Sequence, residues 1–273
     1  MLSKLGYEAL TASQASMGLV NEIIENLSNV YSIGYKKSKT TFAEALNGEV
    51  SKHQNKIHSQ GVLRKTAELY DLGIEGPGYF EVELPNGQRA YTRAGRLGLT
   101  SDAELVTKEG YKLIPEVEGI SETTSPSVQI DNAKSTGLGI NIEVTTPKFI
   151  IPPDVTPEIA EDGTINAINP ESGEKTKIGK IKVVVFNNPQ GLESIGSSYY
   201  LETNESGKPL DIEASPNTAT KIKQGYVEYS NVDIAASFME IIQLRNVISA
   251  QLKTMKVLDK LYENIHYTVS RAA

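Results

Sequence analysis

The chain has 273 residues, no Cys, no Trp, and a net charge of -7. Without Cys there are no disulfides, thiolate metal sites or cysteine catalysis, and the acidic balance disfavours a general nucleic-acid binder, which needs a basic face against phosphate. No apolar run approaches the ~20 residues that span a bilayer, and MLSKLGYEALTASQASMGLV lacks the basic lead and unbroken apolar block of a secretory signal.

The first element predicted is a helix over about residues 2–27. Leu2, Leu5, Ala9, Ala12, Ser16, Leu19 and Ile23 are spaced three and four apart, and Leu10, Met17 and Ile24 widen the stripe. At 1.5 Å per residue it would be roughly 40 Å long. It runs into ENLSNVYSIGYKKS, where Asn26, Ser28, Asn29 and Ser32 can bond local backbone and favour turns and caps over helix interiors. Gly34 can take a positive φ that a β-branched residue cannot take cheaply. Tyr35 is placed to pack an aromatic ring against a neighbour, with Lys36 and Lys37 facing solvent or an acidic partner. Read by composition alone, this is an ordinary helix end with a glycine stop.

The middle of the chain reads as all-β, with all twelve prolines between Pro77 and Pro216. GIEGPG (Gly73 to Gly78) reads as a tight turn. YFEVEL puts Phe80, Val82 and Leu84 on one face, with Glu81 and Glu83 on a solvent face. PNG turns the chain into a returning strand, QRAYTR. Another hairpin is expected around Glu109-Gly110, and EDGTINAI carries an Asp162-Gly163 turn. GKIKVVVF, the most β-branched run, should be one central strand, and SSYYLETNESGKP a strand with its exit turn.

At the C-terminal end Ile234, Ile241, Ile248, Met255 and Tyr262 recur every seven residues, and Leu244, Leu258 and Ile265 occupy the partner positions, interrupted by Gln251. Phe238, Leu252 and Leu261 add flank. Asn231 or Asp233 could cap the start, and no Gly or Pro follows. A helix of about 33 residues is predicted, roughly 50 Å long.

The expected fold class is α+β: long N- and C-terminal helices forming a coiled-coil-like pair, with a central all-β domain. The expected domains are 1–30 with 228–273 as a terminal helical domain, 31–74 as a connecting segment, and 75–227 as a β-rich domain with a polar insertion at about 116–150. Isolated helices of this length are marginal without tertiary support, and two of them leave apolar stripe in water. The ends therefore need further chains to complete a core.

Several separate blocks carry a resemblance to a known family. ENLSNVYSIGYKKSKTTFAEAL resembles the N-terminal motif of the flagellar basal-body rod, hook and hook-associated axial proteins, through Asn26, Leu27, Ser28, Asn29, Val30, Ser32, Gly34, Tyr35 and Lys36. HSQGVLRKTAELYDLGIEGPGYFEVELPNGQRAYTRAGRLGLTSDAELVTKEGYKLIP is similar to the family's lead into its β-domain. GLESIGSSYYLETNESGKP and QGYVEYSNVDIAASFMEIIQLRNVISAQLKTMKVLDKL are similar to its closing part. YTRAG, GLESIG and QGYVEYSN most resemble distal-rod members. The short connection between Leu46 and His58 is instead like that of proximal-rod or hook relatives, which form the alternative assignment.

The resemblance implies a structural subunit whose terminal helices line the innermost layer of a helical tube, with no cofactor. The partners implied are copies of itself, other rod and hook axial proteins, and surrounding basal-body ring proteins, with no nucleic acid and no membrane-spanning segment. It also implies export through the flagellar type III apparatus without a cleaved signal. The residues expected at the assembly interface are Leu5, Ala12, Leu19, Ile23, Ile241, Ile248, Leu252, Met255 and Leu258. Asn26, Asn29, Ser32, Gly34 and Tyr35 are expected to form a helix-exit hinge that turns the chain from the inner tube toward the outer layers.

Enzyme readings find little support. His53, His58 and His266 have no ligand partners at a suggestive spacing, and GIEGPG lacks the Lys-Ser/Thr of a phosphate loop. Asp162-Gly163 lacks the spaced acids of a calcium loop. The alternative of another class is a stalked β-domain binding module or adhesin, which would stay monomeric or close into a small oligomer; head-to-tail contacts that do not close give an open helix.

Overall fold

The structure, a computed structural model, describes residues 2–44, 50–116, 155–168, 175–212, 214–215 and 219–272. Apart from Glu116, the polar insertion expected at 116–150 lies outside the described residues. The chain divides into two compact units, Met1–Val62 with Tyr229–Ala273, and Leu63–Glu228.

The first unit contains α1 (Leu2–Ser28), β1 (Ser38–Glu44), β2 (Val50–Lys56) and α2 (Ile234–Ala272). β1 and β2 form an antiparallel hairpin in register from Ser38↔Lys56 to Glu44↔Val50. α2 is capped by Asp233, whose carboxylate accepts the Ala236 amide at 3.1 Å. This bond satisfies one of the amides that the first helical turn leaves free.

The expected fold class requires correction. Among the described residues the only two α-helices are α1, of 27 residues, and α2, of 39, on a β-rich body. They do not form a coiled-coil-like pair of matched long helices. The reason lies on the described side chains of α1, residues 11–28, of which the buried ones are Ser13, Ser16, Glu22, Ile23 and Asn26. Four of the five are polar, so residues 11–28 of α1 offer no buried row of apolar knobs for a heptad seam. One contact to α2 is a hydrogen bond instead, from Gln251 Nε2 to Ser16 Oγ at 3.1 Å.

The second unit is built from short strands: β3 (Leu63–Lys65), β4 (Leu72–Glu75), β5 (Tyr79–Glu83), β6 (Arg89–Thr92), β7 (Leu97–Leu99), β8 (Leu105–Thr107), β9 (Lys112–Leu113), β10 (Pro115–Glu116), β11 (Thr156–Ile159), β12 (Thr164–Ile168), β13 (Lys175–Ile181), β14 (Val183–Val185), β15 (Glu193–Gly196), β16 (Tyr199–Leu201), β17 (Leu210–Ile212), β18 (Lys221–Gln224) and β19 (Tyr226–Glu228). The main sheet runs β15-β16-β6-β5-β9-β8-β7, with β14 added to β5 and β17 to β14. A second sheet runs β10-β13-β12-β11, and β18 pairs β4 while β19 pairs β3.

Strand alternation sends Phe80 and Val82 of β5 into one core with Leu72, Ile74, Leu105 and Ile222. Tyr79, one residue out of phase, joins a second cluster with Tyr91, Val184, Phe186, Leu192 and Tyr200. Both faces of β5 are therefore covered, and Glu81, expected in solvent, is fully buried. Its carboxylate meets Arg89 and Lys182, each at 3.0 Å. Burial alone would lower the Lys182 pKa, but the charge and hydrogen bonds of Glu81 and Asp211 outweigh it and hold the ammonium above its ordinary range.

The single central strand expected from GKIKVVVF is likewise two strands. β13 ends at Ile181 and β14 begins at Val183 in the other sheet, so Lys182 is the point at which the chain changes sheet.

Candidate assembly site

The side chains at the exit of α1 satisfy its last turn. Ser28 Oγ donates to the Ile24 carbonyl at 2.8 Å, and Asn29 Nδ2 to the Glu25 carbonyl at 2.9 Å. Ser32 Oγ donates to Asn29 Oδ1 at 3.0 Å. These bonds add to the backbone amides of Asn29 and Val30, which donate to the carbonyls of Glu25, Asn26 and Leu27. Gly34 then adopts φ +69, in the left-handed region that glycine enters without steric cost.

Asn26 is fully buried and governs where the chain goes next. Its Oδ1 accepts the Ser38 amide at 2.8 Å and the Tyr35 hydroxyl at 3.1 Å, while its Nδ2 donates to the Ser38 carbonyl at 2.9 Å. A side-chain amide that grips both backbone groups of one residue fixes β1 against the last turns of α1. Tyr35 packs within its own chain. Burial raises its pKa, assisted by the nearby charges of Glu25 and Glu22 against the Ser38 hydrogen bond. Lys56 Nζ sits 4.7 Å from the centre of the Tyr35 ring and donates to Ser38 Oγ at 2.6 Å. Burial lowers the Lys56 pKa, and Glu25 and Glu22 oppose the effect only in part.

Lys36, expected in solvent, is fully buried and donates to the Ser59 carbonyl at 2.7 Å. Lys37 reaches Glu240 of α2 at 3.2 Å. Asn231, a candidate helix cap by sequence, instead binds the Lys37 amide and the carbonyls of Ile57 and Ser59. An Asn two residues before a capping Asp gives no local sign of a role so far along the chain.

Of the residues expected at the assembly interface, Ile241, Ile248, Met255 and Leu258 are half-buried on one stripe of α2, with Leu244 and Gln251. On α1, Ile23 is buried, Leu19 half-buried and Ala12 exposed. The side chain of Leu5 lies outside the described residues. Leu252 is apart from the stripe, 49% exposed. Phe238, Met239, Ile242, Val247, Val257 and Leu261 are also exposed, so the apolar residues of α2 extend around the helix beyond the side it covers in one chain. A helix apolar on several sides belongs in an interior. Met17 and Ile24, one heptad apart, add an exposed pair on α1. Among the described residues no helix is long and apolar enough to cross a membrane.

A β-rich unit and a unit with two helices, whose described residues leave apolar side chains of α2 exposed, define a class of structural rather than catalytic architecture. Comparison with known proteins makes this specific. Residues 73–167 match the family model described as the flagellar hook protein FlgE/F/G D1 domain, and residues 223–265 match the flagellar basal body rod FlgEFG protein C-terminal. The chain is 30% identical to the flagellar basal-body rod protein FlgG of Buchnera aphidicola subsp. Schizaphis graminum, over 97% of this chain and 96% of that protein. It is 26% identical to the flagellar basal-body rod protein FlgG of Bacillus subtilis, over 95% and 96% of the two chains. The flagellar hook-basal body complex protein FlhP of the same organism is 25% identical over 89% and 90%. The chain belongs to the flagellar basal-body rod and hook (FlgE/F/G) family.

Proposed function

We propose that the chain is a structural subunit of the flagellar basal-body rod and that it assembles by burying the outer apolar faces of α1 and α2 against those of like subunits. It is a component of the flagellar basal body and performs no catalysis. The observation that carries the reading is α2 itself, with Phe238, Ile242 and Leu252 each about half exposed on a helix of 39 residues. Burying such a side chain from full exposure is worth roughly 1.5–3 kcal/mol, and at half-exposed side chains a lone chain leaves about half of that driving force unused. The hinge of Asn26, Asn29, Ser32, Gly34 and Tyr35 would set the angle at which the chain leaves the helical layer.

The proposed partners are copies of this chain, other rod and hook axial proteins, and the surrounding ring proteins. Export through the flagellar type III apparatus without a cleaved signal accords with terminal helices that hold only part of their core until neighbours arrive. The similarity to FlhP supports a second placement, elsewhere in the hook-basal body axis. The position of the subunit in purified basal bodies separates the two.

Leu252→Asp tests the reading. The side chain is half exposed in the single chain, so the variant should fold as the unmodified protein does. In an assembled interface the carboxylate would be buried without a partner, at a cost of several kcal/mol, and incorporation should fail. Normal incorporation, or a native chain that stays monomeric at high concentration, would overturn it.

A further inference from the structure

We infer that Asn26 and Asn231 close a single polar latch, through which order at the exit of α1 depends on residues 229–231 near the other end of the chain. The inference concerns one chain and does not rest on the assembly reading.

The geometry is continuous. Asn26 holds both backbone groups of Ser38. One residue earlier, the Lys37 amide donates to Asn231 Oδ1 at 2.7 Å, and the Lys37 carbonyl accepts the Ile57 amide at 2.8 Å. Asn231 Nδ2 completes the circuit, donating to the Ile57 carbonyl at 2.7 Å and to Ser59, at its carbonyl (3.1 Å) and at Oγ (3.0 Å). The same Ser59 carbonyl accepts Lys36 Nζ. Beside this, Tyr229 bridges to Ile33, and its amide donates to the Val62 carbonyl at 3.0 Å. Gly61 lies so close to Tyr229 that a Cβ there would stand 1.9 Å from the Tyr229 carbonyl oxygen.

Residues 33–38 and 57–62 thus draw partners from a segment whose Asn231 is 194 positions beyond Lys37. Removing Asn231 strips the part-buried Lys37 amide and Ile57 carbonyl of a partner in one step, while the exposed Ser59 keeps Lys36. A polar group left unmatched away from water costs more than its bond had contributed, so the network should open as a whole. Its consequence is a completeness requirement: the grip of Asn26 on Ser38 is fully held only once the C-terminal segment is in place. A chain cut short of Tyr229 would hold the exit of α1 less firmly.

Amide hydrogen exchange on the dilute full-length chain tests this. The reporter is the Ser38 amide, which Asn26 holds and Asn231 does not touch. Asn231→Ala should speed Ser38 exchange roughly tenfold or more, and Asn26→Ala should do the same at Tyr229, since coupling is reciprocal. Amides of residues 72–82 should be unchanged in both and report that the second unit is folded. If Asn231→Ala abolishes all protection in the first unit, Asn231→Asp decides, because it keeps the acceptor for Lys37 and loses both donor hydrogens. Ser38 should then exchange faster than in the unmodified chain. A Ser38 amide whose exchange is unmoved in the variants, or that has no protection in the native chain, would overturn the latch.

Discussion

Arg93 and Glu228 meet at 3.1 Å with both side chains almost completely sealed from solvent. The guanidinium also donates to the carbonyls of Gly76 at 2.9 Å and Ile74 at 3.5 Å, and lies 5.3 Å from the centre of the Tyr79 ring. The pair ties β19 to the end of β6 in a unit whose strands are mostly three to five residues long. Removing one partner strands a charge, at about 3–5 kcal/mol. Glu228→Gln should therefore destabilise the second unit by that amount in denaturant unfolding followed by tyrosine fluorescence. Arg93→Met with Glu228→Leu should recover much of the loss, because the stranded charge is gone.

Alkaline pH should destabilise the second unit. Tyr79, Tyr91 and Tyr199 all have pKa values raised well above the ordinary 10.0, in each case chiefly by burial. Their hydroxyls stay protonated in the folded chain at a pH where the unfolded chain has released them. Between pH 10 and the raised values the folded state binds more protons, so stability falls as pH rises. Stability should hold up to about pH 10 and drop steeply above it, with tyrosinate absorbance appearing together with loss of the near-ultraviolet dichroism.

Two glycines of the main sheet region give opposite expectations. A Cβ at Gly95 would stand 1.7 Å from the Leu72 carbonyl oxygen, while one at Gly98 would meet nothing within 4 Å. The Gly95 carbonyl also accepts the Leu72 amide at 2.7 Å, so neither backbone segment can retreat without breaking that bond. Gly95→Ala should cost about 4 kcal/mol or prevent folding, and Gly98→Ala should fall within about 0.5 kcal/mol of neutral. Thermal unfolding of the two variants in parallel checks the contrast.

The parts of the fold legible in the sequence are those fixed by neighbours along the chain. The β5–β6 hairpin follows from Phe80/Val82 alternation and a Pro85-Asn86-Gly87 turn, and the β11–β12 hairpin from Asp162-Gly163, where Asp162 accepts the Thr164 amide. α2 follows from an apolar heptad without a breaker. What escaped is set by distant segments. Glu81 looks like the polar side of a strand until residues 184–200 cover that face. Lys36 looks solvated until Ser59 supplies a carbonyl. The small and polar stripe of Ser13, Ser16 and Glu22 on α1 shows why heptad spacing alone misjudged the helix pair, since spacing names a face and not what the face is made of.

Gly34 is where local conformation and the proposed assembly can be separated. At φ +69 it holds a conformation that costs an L-residue roughly 1–2 kcal/mol, and more with a branched Cβ. It stands one residue before Tyr35, whose hydroxyl is bonded to Asn26, so a change of φ there moves the ring from its acceptor. Gly34→Val should therefore loosen Tyr35 to Ser38, read as faster amide exchange, and reduce incorporation into the rod. Gly34→Asn, whose side chain tolerates the left-handed region, should do both to a smaller extent. If exchange rises in Gly34→Val while incorporation is undiminished, the exit geometry is a property of the single chain and does not direct assembly.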